Sequence, residues 1–82
     1  MPDTYYMIAV SILREEDRPM SAKEIVDEAL RRRLLLPTGK TPLNTMAATL
    51  FRHTSKGDPL IRRVRNPRHS RNYQYVARKV ES

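Results

Sequence analysis

Apolar residues recur with a helical period three times along this chain, and near residue 57 the pattern switches to β-branched and aromatic runs. Tyr5, Ile8, Ala9, Ile12 and Leu13 form the first stripe at i, i+3, i+4, i+7 and i+8. Ala22, Ile25, Val26, Ala29 and Leu30 form the second with the same spacing, and Leu43, Met46, Ala47, Leu50 and Phe51 form the third. Each stripe buries one side of a helix. Downstream, "PLIRRVR" and "NYQYVAR" read as strands, joined by "NPRHSRN", whose Asn, Pro and Ser are turn formers. A chain with this order must pack three helices against a hairpin.

Local signals place the boundaries. Asp3 or Thr4 can cap the first helix, and Asp17-Arg18-Pro19 closes it. Tyr6 and Val10 lie off the first stripe and are expected to be partly exposed. Ser21 and Glu24 make an S-x-x-E capping box, with Met20 and Ile25 placed to staple the entry of helix 2. Arg31-Arg32-Arg33 sits in the last turn of that helix, where it serves either the negative end of the helix dipole or a DNA contact. Pro37 and Gly39 then break the chain, Thr41 is a natural N-cap, and Pro42 fits N1, where its missing N–H costs nothing. At 100° per residue, Thr45, Ala48, Thr49 and Arg52 point away from the third stripe, with Asn44 and His53 on their flanks. "SKGDP" ends helix 3.

Three helices followed by a hairpin wing predict an α+β, winged helix-turn-helix fold with a small two- or three-stranded antiparallel sheet. Helices 2 and 3 make the helix-turn-helix; a short strand in or beside the connection from Leu34 to Thr41 could join the hairpin, and the sequence leaves its place open. Residues 1–78 are expected to form one domain, with 79–82 a frayed end.

The chain has 82 residues, a size that buries only about 60% of its unfolded surface and leaves little room for a catalytic cleft. Cysteine is absent, which removes disulfides and thiolate metal sites together. The start "MPDTYYMIAV" lacks a basic n-region, and no apolar run approaches membrane-spanning length. The expectation is an intracellular location: cytoplasm or nucleoid, or a nucleus. The net charge of +7 is unevenly placed: residues 1–30 hold seven acids and three bases, residues 31–82 two acids and thirteen bases. This asymmetry points the C-terminal part toward a polyanion.

The "GKT" within "PTGKTP" raises nucleotide binding, but a P-loop needs G-x-x-x-x-G-K-S/T, and its first glycine would fall at Leu34. No strand of the required type precedes it. His53 and His69 are too far apart for i, i+4 metal ligation, and Glu15, Glu16 and Asp17 are consecutive, so they do not converge as a general acid–base pair. The reading is therefore of no enzyme, no metal, no cofactor and no small-molecule substrate.

Duplex DNA remains as the partner. The N-terminus of helix 3 (about 42–54) offers free N–H groups and a positive dipole end, where Lys40 and Thr41 would hold a backbone phosphate. Asn44, Thr45, Thr49 and Arg52 would face the major groove, where Asn pairs with adenine and Arg with guanine. A basic wing (about 65–72) would bring Arg65, Arg68 and Arg71 to a minor groove or phosphates, with His69 at its tip. The competing reading is a protein-interaction winged helix whose basic surface meets an acidic partner or a nucleosome.

The stretches "TYYMIAVSILREEDRPMSAKEIVDEAL", "TGKTPLNTMAATL" and "GDPLIRRV" leading into "YQYV" resemble the HARE-type helix-turn-helix family over roughly residues 4–77. "NPRHSRN" departs from that family's wing, which usually carries glycine. The resemblance implies a winged-helix module directed to DNA or chromatin, in bacterial DNA-modification and restriction systems or eukaryotic chromatin regulators. It implies service to a larger protein, and no reaction.

Overall fold

The computed structural model describes residues 4–35, 42–65 and 73–78. Its elements are α1 (Thr4–Glu16), β1 (Met20–Ser21), α2 (Ala22–Arg31), α3 (Pro42–Ser55), β2 (Ile61–Arg65) and β3 (Tyr73–Ala77). The three strands form an antiparallel sheet in the order β1-β3-β2. This is a winged helix-turn-helix.

The third strand lies between α1 and α2, a place the sequence leaves open. Met20 pairs with Tyr75 and Ser21 with Gln74. Two residues suffice because Met20 is itself fully buried, so the pairing is fixed by a core side chain. Ser21 also caps α2. Its extended backbone (φ −74°, ψ 165°) suits the end of a strand and an N-cap alike. Its hydroxyl accepts from Glu24 N–H (3.2 Å) while its own N–H donates to Glu24 Oε1 (3.0 Å). That bond to Ser21 N–H holds the Glu24 carboxyl below its usual range, helped against burial by Arg18.

Ile12, Leu13, Met20, Ile25, Met46, Leu50 and Ile61 are the large, fully buried side chains. On the hairpin, Ile61, Arg63 and Arg65 share a face with Ala77, Tyr75 and Tyr73, their cross-strand partners. Ile61 and Tyr75 are buried, so this face meets the helices, and Arg62, Val64, Gln74 and Val76 take the other.

α2 ends in a Schellman motif: Arg33 N–H donates to Leu30 C=O (3.1 Å) and Leu34 N–H to Ala29 C=O (2.8 Å). Arg33 takes the left-handed position (φ 60°), which is usually glycine's. The neighbouring arginines are engaged in ion pairs. Arg31 pairs with Glu28, and Arg32 reaches Glu15, Glu16 (3.2 Å) and Glu28 (2.7 Å), tying the C-terminal ends of α1 and α2 together.

Two sequence expectations about facing are corrected. Val10 is buried (5% exposed), whereas Tyr6 is partly exposed as expected, its hydroxyl donating to Asp58 Oδ1 at 2.8 Å. α3 is rolled by roughly 70° from the orientation its apolar stripe predicts. Met46, Thr49 and Leu50 are its buried residues, whereas Leu43 and Phe51 are 38% and 47% exposed. The cause is a polar cluster between α1 and α3. The His53 ring stacks on Tyr6 (4.1 Å, 17°), and its Nδ1 lies 3.4 Å from Asp58 Oδ2. Asp58 is buried and also accepts from Leu60 N–H (2.7 Å) and Ile61 N–H (3.1 Å). Turning His53 toward Tyr6 carries Thr49 inward and Phe51 outward.

Candidate nucleic-acid interface

The roll of α3 decides which of its side chains can meet a ligand. Leu43, Asn44, Thr45, Ala48, Phe51 and Arg52 are exposed along one arc of the helix. Asn44, Thr45 and Arg52 therefore lie where the sequence places them, on the outer side. Thr49 does not: at 4% exposure it belongs to the packed side and cannot reach a base edge. His53 serves the internal cluster.

The arc is less polar than the sequence suggests. Leu43, Ala47, Ala48 and Phe51 line one wall of a groove of about 720 Å³, closed by Ser21, Ala22 and Lys23 at the start of α2 and by Tyr73 and Tyr75 of β3. At one edge of this wall the Phe51 and Tyr73 rings stand 6.0 Å apart at 53°, forming a wedge. The Arg63 guanidinium occupies it, 4.2 Å from the Phe51 centroid and 4.7 Å from that of Tyr73. Its Nη1 donates to Ser55 Oγ at 3.4 Å. Among the described residues no carboxylate pairs with Arg63.

Sequence reasoning misses Arg63, Phe51 and Tyr73 as a group. The third apolar stripe counts Phe51 with the core, and the imperfect alternation of "LIRRVR" leaves the facing of Arg63 open. The usable signal is the hairpin register, which puts Arg63 on the face of Ile61. Arg65, also exposed, sits on that same face at the wing end of β2, opposite Tyr73. Lys40, Thr41, Arg68, His69 and Arg71 lie outside the described residues.

Chemistry elsewhere is sparse. Among the described residues no group of three His, Cys, Asp or Glu could hold a metal ion. No described helix is long and apolar enough to cross a membrane. The Asp58 cluster has shifted acidities but a structural geometry. Burial alone would raise the Asp58 carboxyl, yet the Leu60 N–H, the Tyr6 hydroxyl, the Ile61 N–H and His53 together hold it below its ordinary value. Burial, with the bond to Asp58 and its charge, pushes the Tyr6 hydroxyl up to about 12.

An exposed second helix of a helix-turn-helix, flanked by an arginine-bearing hairpin, defines a winged helix-turn-helix module. The family model HARE-HTH, a helix-turn-helix domain whose description names ASXL and a restriction endonuclease, matches residues 4–68. The chain belongs to the HARE-HTH family, a helix-turn-helix family of DNA-binding type. No curated protein and no solved structure matches it.

Proposed function

We propose that the domain docks on duplex DNA by laying α3 in the major groove with the wing against an adjacent groove or backbone. The observation that carries this reading is the exposed arc of α3, on which Asn44, Thr45 and Arg52 surround the small Ala48. A helix with a small residue at the middle of its outer face approaches base edges closely, and Asn and Arg are the side chains suited to adenine and guanine. Lys40 and Thr41 would hold a phosphate at the start of α3. Arg65, Arg68, His69 and Arg71 would extend the contact along the wing. The family's description includes a restriction endonuclease, which supports service to a larger DNA-modification, chromatin or transcription system.

Fluorescence anisotropy with duplex DNA, single-stranded DNA and RNA tests the reading. Duplex binding is expected to be tightest; a chain that binds none of the three overturns it. Arg52→Ala is expected to change base preference by about 1–3 kcal/mol, measured by competition between duplexes of different sequence. Equal loss on all sequences would make Arg52 a phosphate contact.

One observation favours a second reading. The groove beside α3 exposes Leu43 and Phe51, area that a protein partner with acidic flanks would cover. Under that reading, Leu43→Ser abolishes capture of the partner and leaves DNA affinity unchanged.

A further inference from the structure

We infer that Arg63 is a phosphodiester-binding residue at the junction of α3 and the wing, and that Phe51 and Tyr73 form the platform that aims it. The inference rests on the duplex-DNA reading above and deepens it by naming a contact and its geometry. Three observations combine. Arg63 carries a full positive charge that no carboxylate among the described residues neutralises. Its guanidinium is held against two rings, at 4.2 and 4.7 Å, and is further fixed by Ser55 Oγ. Both rings are incompletely covered, with Phe51 47% exposed beside the apolar groove, although aromatic area of this kind is normally buried.

A stacked guanidinium has lost most of its rotamer freedom before any ligand arrives, so less entropy is given up when its N–H groups meet an anion. A planar fork satisfied on its faces by π-systems still has its edge donors for oxygen acceptors. Two parallel N–H groups match the two non-bridging oxygens of a phosphodiester. The position also suits a backbone contact. Phe51 projects from α3 and Tyr73 from β3, so Arg63 is fixed to both elements that the duplex must meet at once. A phosphate bound there sets the register of the wing relative to the helix.

The test compares Arg63→Ala, Arg63→Lys and Phe51→Leu with Phe51→Tyr and Arg62→Ala in the full chain. The probe is a short fluorescein-labelled duplex of mixed sequence, titrated at several salt concentrations, and thermal melts confirm folding. Arg62 lies on the opposite face of β2, so Arg62→Ala removes the same charge from the wrong side. Arg63→Ala is expected to weaken binding about tenfold on all sequences and to reduce the log–log salt slope by about 0.9, one phosphate's worth. Arg63→Lys keeps the charge but loses the fork and the stacking, and is expected to lose about half of that effect on a logarithmic scale. Phe51→Leu should weaken binding with Phe51→Tyr restoring it, and Arg62→Ala should stay within about twofold. Wild-type binding with an unchanged slope in Arg63→Ala overturns this inference alone. So does equal loss in Arg62→Ala and Arg63→Ala, which reduces both to general charge. Failure of the wild type to bind duplex overturns the DNA reading, and the inference falls with it.

Discussion

Asp58 is one carboxylate with four partners, and it joins three parts of the fold. It caps the backbone at Leu60 and Ile61 where β2 begins, accepts from Tyr6 on α1, and faces His53 on α3. Removing it takes the carboxylate acceptor away from the Leu60 and Ile61 N–H groups and from the Tyr6 hydroxyl. Asp58→Ala is therefore expected to destabilise the domain by about 2–3 kcal/mol, measured by urea denaturation at neutral pH. The pH dependence has a definite sign. A carboxyl whose folded value is depressed contributes stability above its unfolded value of about 3.9, and that contribution is lost as pH falls through the lower folded value. Tyr6 acts at the other end: with its folded value raised to about 12, its contribution is present below pH ~10 and is lost between there and 12. Denaturation midpoints should fall at both extremes, and Asp58→Ala should flatten the acid limb. An unchanged acid limb in that variant would assign acid sensitivity to other carboxylates.

Among the elements, the helix ends are the most legible in the sequence. The Ser21–Glu24 box is a local pattern whose partners are three residues apart, and it forms as read. Met20 reads locally only as half of a staple. Its pairing with Tyr75 joins residues 55 apart, and no local pattern reports such a contact. The orientation of α3 is illegible for a similar reason. Its apolar stripe is a true helical signal, but the facing is settled by Tyr6 and Asp58, distant residues that form a cluster with His53. Hence Asn44, Thr45 and Arg52 of the candidate interface are readable as outward, Thr49 is not readable as inward, and Arg63 is readable only once the hairpin register is known. At the end of α2, Arg33 holds a left-handed backbone that costs a side chain about 1 kcal/mol. Arg33→Gly is expected to raise stability by about 0.5–1 kcal/mol, seen as a higher melting temperature. A lower one would show that the Arg33 side chain carries a contact worth more than the strain.

For the molecule as a whole, the charge asymmetry of the sequence acquires a direction. The acids of α1 and α2 are largely consumed in pairs with Arg18, Lys23, Arg31 and Arg32. Arg62, Arg63 and Arg65 of β2 have no such partners among the described residues. Three such arginines thus stand together on one strand of the hairpin, where their charge would attract a polyanion from beyond contact distance. Neutralising about four to six phosphates predicts a log–log slope of affinity against salt of roughly −4 to −5. Anisotropy titrations from low to moderate salt check this, and a nearly flat dependence would contradict it.

The double duty of Ser21 carries a consequence for how the molecule opens. The residue that ends β1 also starts α2, and β3 is the central strand. Fraying of the first turn of α2 and detachment of the sheet's edge are thus one cooperative event, because each removes the backbone geometry the other needs. The hairpin and the helix-turn-helix, separate motifs on paper, are therefore expected to open there as a single foldon, with matched amide-exchange protection at Ser21, Glu24 and Tyr75 as the check.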